Sequence, residues 1–96
     1  MYMRVVRARI DPAKVDEAIS SPVGQDLAAA VKRQPGCQSF TAGGDRATGQ
    51  TITVSTWDTE EHARYSMDAL GDVASRIQAL GVQADPPQIF EVTTPA

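Results

Sequence analysis

The stretch from Thr51 to Met67, TITVSTWDTEEHARYSM, leaves the chain few ways to fold. An alternating strand runs into the only tryptophan, and helix-start chemistry follows at once. Strand geometry puts Thr51, Thr53, Ser55 and Trp57 on one face and Ile52, Val54 and Thr56 on the other, so neither face is simply a solvent face. Asp58 and Thr59 can each cap the following helix, and Glu60 and Glu61 place negative charge in its first turn, where the helix dipole favours it. Asp58 with Glu61 also has the spacing of a capping box. Trp57 therefore stands at a strand end beside the only histidine, His62, and near Tyr65, where large side chains with polar tips converge.

The flanking segments complete a βαββαβ order. Residues 2–10 alternate as a strand and end at Asp11-Pro12, a good N-cap followed by a good first helical residue. Val15, Ala18 and Ile19 form the apolar stripe of that helix, which Pro22 must break or kink. A second piece then runs from about Pro22 to Arg33 and stops at Gln34-Pro35-Gly36. Residues 37–43 read as strand two, 45–49 as a hairpin tip and 51–57 as strand three. Beyond Trp57, the residues Ala63, Met67, Leu70, Ala74, Ile77 and Leu80 recur at three- and four-residue steps. That spacing predicts a helix ended by Gly81, with Gly71-Asp72 as a candidate break. Residues 82–87 read as a loop and 88–93 as the last strand.

Two right-handed crossovers would place both helical layers on one face of a four-stranded antiparallel sheet. The expected fold is thus an α+β, ferredoxin-like half-sandwich in one domain over residues 1–96. Its other face is not polar, because Val5 and Val6 fall on opposite sides of strand one and Ile89 lies opposite Phe90 and Val92. The simplest cover is a second copy stacked sheet on sheet about a two-fold axis, so a homodimer is expected.

Nine basic against twelve acidic residues give a formal charge of −3, which argues against a phosphate-neutralising surface and hence against a nucleic-acid partner. With one cysteine, Cys37, and one histidine, neither a disulfide nor a metal site is expected. No apolar run approaches the ~20 residues that span a bilayer. The N-terminal MYMRVVRARI lacks the apolar core and cleavage site of a signal peptide, which makes a cytoplasmic location without membrane partners the expectation. Arg7 and Arg9 are a same-face basic pair suited to an anionic ligand or to a carboxylate such as Glu91.

The βαββαβ order, Pro35-Gly36 before strand two, Phe40 within it, and strand three ending Trp57-Asp58-Thr59-Glu60-Glu61 resemble one family. It is the antibiotic biosynthesis monooxygenase domain of the dimeric α+β barrel superfamily, and the similarity covers essentially the whole chain. The resemblance implies a homodimer with a pocket between sheet and helices. Active members oxidise polycyclic phenols or anthrones with molecular oxygen and no metal or flavin, so no cofactor is implied. In phenol-oxidising members an Asn in strand three, the Trp four residues later and an Arg in the second helical region hold substrate and reduced oxygen. By that resemblance Trp57 matches the Trp, Thr53 occupies the Asn position and Arg76 is the candidate Arg. Haem-degrading members use an Asn in strand one and a His late in the second helical region; the corresponding stretches here offer Arg7 and no His, so haem degradation is not expected.

The candidate catalytic residues are therefore Trp57, a wall that sets pocket shape, and Arg76, an anion stabiliser. Phe40, Thr53, Ser55, Tyr65 and His62 are the candidate contacts for a small aromatic ligand. Plainer readings stand beside these. Trp57 is also what a core residue with a satisfied N–H looks like, His62 what a solvated first-turn side chain looks like, and Tyr65 what a wet edge of the core looks like. Two functions follow: a cofactor-independent monooxygenase acting on a phenol or anthrone, or a non-catalytic dimeric module that binds a small molecule or a partner.

Overall fold

The computed structural model describes residues 1–95. Strands β1 (Tyr2–Arg9), β2 (Cys37–Gly44) and β3 (Gln50–Trp57) form an antiparallel sheet in the order β2-β3-β1. Along the free edge of β1 lie two short strands, β4 (Gln83–Ala84) against Ala8 and Arg9, and β5 (Gln88–Glu91) against Tyr2 to Val5. Together they occupy the fourth place of a ferredoxin-like sheet. The segment 82–87 is thus not wholly a loop. Gln83 and Ala84 extend the edge, and Asp85 N donates to Arg7 O at 2.8 Å before Pro86-Pro87 interrupts the ladder.

The first crossover contains a 3₁₀ turn at Pro12–Lys14, helix α1 (Val15–Ser20) and helix α2 (Val23–Lys32). Asp11 caps the turn by accepting from Ala13 N, and the break falls at Ser21-Pro22, where proline removes a donor. The second crossover is more fragmented than its apolar spacing predicts. Helix α3 holds only Glu60–Ala63, a 3₁₀ turn spans Met67–Leu70, and helix α4 covers Val73–Ala79. The chain leaves helical geometry at Arg64, well before Gly71. One cause lies across the molecule: Arg4 Nη1 donates to Ala63 O at 2.9 Å and to Tyr65 O at 3.3 Å, supplying those carbonyls with a partner outside the helix. Ser66 then caps the 3₁₀ turn through Asp68 N, and Gly71 at φ 67° redirects the chain into α4.

Strand register decides which residues the helices cover. Tyr2 pairs with Trp57, Arg4 with Ser55, Val6 with Thr53 and Ala8 with Thr51, so these share one face with Phe40 and Ala42 of β2. Over that face Trp57 and Val31 are fully buried, packed with Ala30, Ala63, Leu70 and Val73. The reverse face carries Met3, Val5, Ile52, Val54 and Phe90, of which Ile52 and Phe90 are exposed. At the far end of the sheet the hairpin tip folds back on the first crossover. Ile10 N donates to Gly49 O at 2.8 Å, and Gly49 has φ 78°. A Cβ at residue 49 would overlap Ile10 O, so the clasp requires glycine.

Candidate functional site

The inner end of β3 builds a polar-tipped aromatic cluster. Alternation turns Ser55 and Trp57 inward together, and Trp57 Nε1 donates to Ser55 Oγ at 2.8 Å, which satisfies the one polar atom of a fully buried indole. Tyr65, delivered by the irregular exit from α3, packs on Trp57 with ring centroids 5.1 Å apart and planes tilted by 39°. Phe40 and Tyr65 are half-buried against the core, and Thr53 is half-buried one inward position further along β3. Five of the seven candidate residues therefore share the helix-covered side of the sheet.

The other two are engaged by carboxylates. His62 Nδ1 lies 2.6 Å from Asp58 Oδ1, and Arg76 Nη2 donates to Asp26 Oδ2 at 2.8 Å. Both pairs are well exposed, with side chains 39–46% accessible. The helix cap is Thr59, whose hydroxyl accepts from His62 N, so Asp58 is free to bind the imidazole rather than close a capping box with Glu61. That hydrogen bond from His62 holds the Asp58 carboxyl below the ordinary carboxylate value. Gly36, at φ 79°, lies directly under the pair, where a Cβ would overlap Asp58 Oδ1 and His62 Nδ1.

Arg4 belongs to this site and does not stand out from the sequence as a functional residue. Only 4% exposed, it faces Ser55 across the β1–β3 ladder, and its Cζ lies 4.0 Å from the centre of the Tyr65 ring. Two backbone carbonyls accept from Nη1, Nε is buried with no partner, and no carboxylate pairs with it among the described residues. Burial lowers its pKa while Tyr65 opposes the shift; burial likewise raises that of the Tyr65 phenol, against the pull of Arg4. The phenol stays protonated and able to donate. Strand parity was the available signal, since Arg4 shares its face with Tyr2 and Val6 and not with Arg7 and Arg9.

Those two arginines lie on the reverse face and meet Gln88 and Asp85 instead of Glu91. They border a concavity of about 520 Å³ at the hairpin end, whose wall also includes Ala8, Thr51 and Gly44. It lies roughly 20 Å along β3 from Trp57, at about 3.3 Å per residue.

A structure from Deinococcus radiodurans, provisionally described as an antibiotic biosynthesis monooxygenase, superimposes with TM-score 0.74 over 100% of this chain and 96% of its own, at 13% identity. SnoaB, a cofactor-independent oxygenase from Streptomyces nogalater, gives 0.70 over 98% and 94%, at 20% identity. A similarly described protein from Nitrosomonas europaea gives 0.73 over 98% and 100%, at 12% identity. The chain has the antibiotic biosynthesis monooxygenase fold. No protein-family model and no curated protein sequence matches it. Within this fold, the ferredoxin-like order expected from alternation is present with helices on one sheet face. No helix among the described residues is long and apolar enough to cross a membrane.

Proposed function

We propose that the chain is a small dimeric protein that binds a flat aromatic molecule on the helix-covered face of its sheet and oxidises it with molecular oxygen. The observation that carries this reading is the Trp57–Tyr65 pair, an aromatic wall beside Ser55 and Thr53, in a fold shared with a cofactor-independent oxygenase. Phe40 and Tyr65 supply half-buried apolar surface, and Thr53 with the Tyr65 phenol supplies the few polar groups that orient such a ligand. In a cofactor-independent oxidation the electrons for oxygen come from the ring itself, so this reading takes an electron-rich phenol or anthrone as the substrate class. For anthrone the balance closes as anthrone plus O₂ giving anthraquinone plus water. In this reading Trp57 sets the shape of the pocket. Arg76, held by Asp26, and His62, held by Asp58, lie at the rim.

The dimer forms through the reverse sheet face, where Ile52 and Phe90 are exposed beside Met3 and Val54. One observation favours the non-catalytic alternative: Trp57 is fully buried and its N–H is already committed to Ser55. Oxygen uptake by metal-free protein with anthrone separates the two. Turnover that falls at least tenfold in Trp57→Phe supports the oxygenase. Anthrone binding with no oxygen uptake assigns the protein to the binding module, and neither binding nor uptake overturns the reading.

A further inference from the structure

Burying a guanidinium is costly, and proteins ordinarily meet that cost with a carboxylate. Arg4 has none among the described residues: two carbonyl oxygens accept from Nη1, Tyr65 covers one side of the group, and Nε is unpaired in the interior. Arg7 meets Gln88 at the surface and Arg33 is likewise exposed, so of the arginines without a carboxylate Arg4 alone is buried. Arg9, Arg46, Arg64 and Arg76 each meet a carboxylate at the surface, where the need is least. Arg4 also stands where the aromatic site needs charge, on the inward face opposite Ser55 and against a half-buried ring that stacks on Trp57.

We infer that Arg4, and not Arg76, is the cation of the site, and that it selects the ionised form of a hydroxylated aromatic ligand, whose anionic oxygen is the counter-charge the protein lacks. This rests on the aromatic-ligand reading above and adds to it a specificity-determining residue on β1. The electrostatic reason is the desolvated setting. A charge with little water around it acts on a neighbour far more strongly than a surface charge does, and the Asp26 carboxylate largely cancels Arg76. The same charge holds Tyr65 in place through its ring and its carbonyl, so Arg4 both positions the aromatic wall and polarises what rests on it.

The test uses alizarin, a flat hydroxylated anthraquinone whose neutral and ionised forms differ in colour, titrated with pH free and bound to the full chain. The expected result is a bound apparent pKa at least one unit below the free value, a tenfold preference for the anion. That preference should be lost in Arg4→Gln, kept in Arg4→Lys and unchanged in Arg76→Gln. Alizarin that binds with its free pKa, or a lowered pKa that Arg4→Gln leaves intact in a chain folded by circular dichroism, overturns the role of Arg4 and leaves the aromatic site standing. Absence of binding overturns both. Should Arg4→Gln fail to fold, Arg76→Gln decides: loss of the preference there overturns the inference, and its retention beside a lowered wild-type pKa supports it.

Discussion

Ser55 makes the aromatic cluster possible, because the Trp57 indole has no water to turn to. Deleting the hydroxyl in Ser55→Ala leaves a buried N–H unpaired, which costs about 1–3 kcal/mol, and urea denaturation should show a lower midpoint at unchanged slope. Gly36 is the second residue whose identity is dictated. Gly36→Ala meets both a positive φ and the Asp58–His62 pair, so it should destabilise the fold, and Asp58→Ala in the same chain should recover part of the loss but not all. The pair also has a pH signature. Asp58 is depressed, chiefly by the hydrogen bond from His62, so its contribution is present above the ordinary carboxylate pKa and is lost as pH falls through the lower native value. Acid unfolding of Asp58→Asn should therefore be less steep than that of wild type. An identical acid limb would show that the pair contributes nothing to stability.

At the level of elements, the strands were legible in the sequence and the second helical region was not. Period-two alternation in residues 2–10, 37–43, 51–57 and 88–93 reports a sheet with two different faces, and the strands fall within a residue or two of those limits. The run from Ala63 to Leu80 has helical spacing, yet the chain there is a turn of α-helix, a 3₁₀ turn and α4. At the point of interruption the carbonyls of Ala63 and Tyr65 accept from residue 4, more than fifty positions away, and local periodicity holds no record of such a contact. The same blindness kept Arg4 out of the candidate site while the surface residues Arg76 and His62 entered it. If Arg4 anchors the irregular segment between α3 and α4, Arg4→Met should speed hydrogen exchange at Ala69 and Gly71 at least tenfold and leave the β1–β3 ladder protected. Uniform acceleration across both would mean that Arg4 acts on global stability instead.

For the whole molecule, two expectations concern the two faces of one sheet. The reverse face exposes Ile52 and Phe90, and a dimer that covers them should dissociate on Phe90→Lys while keeping its circular dichroism; sedimentation at micromolar concentration checks this against the 10.2 kDa chain mass. The helix-covered face bears the central claim, that a flat aromatic ligand rests beside Trp57. Because Trp57 is the only tryptophan, its fluorescence reports that site alone. Titration with alizarin should quench the emission saturably at one equivalent per chain, with an affinity at least tenfold weaker in Tyr65→Ala and unaltered in Ile19→Ala, which changes an exposed residue of α1. Quenching that never saturates, or that Tyr65→Ala leaves unchanged, would contradict the site.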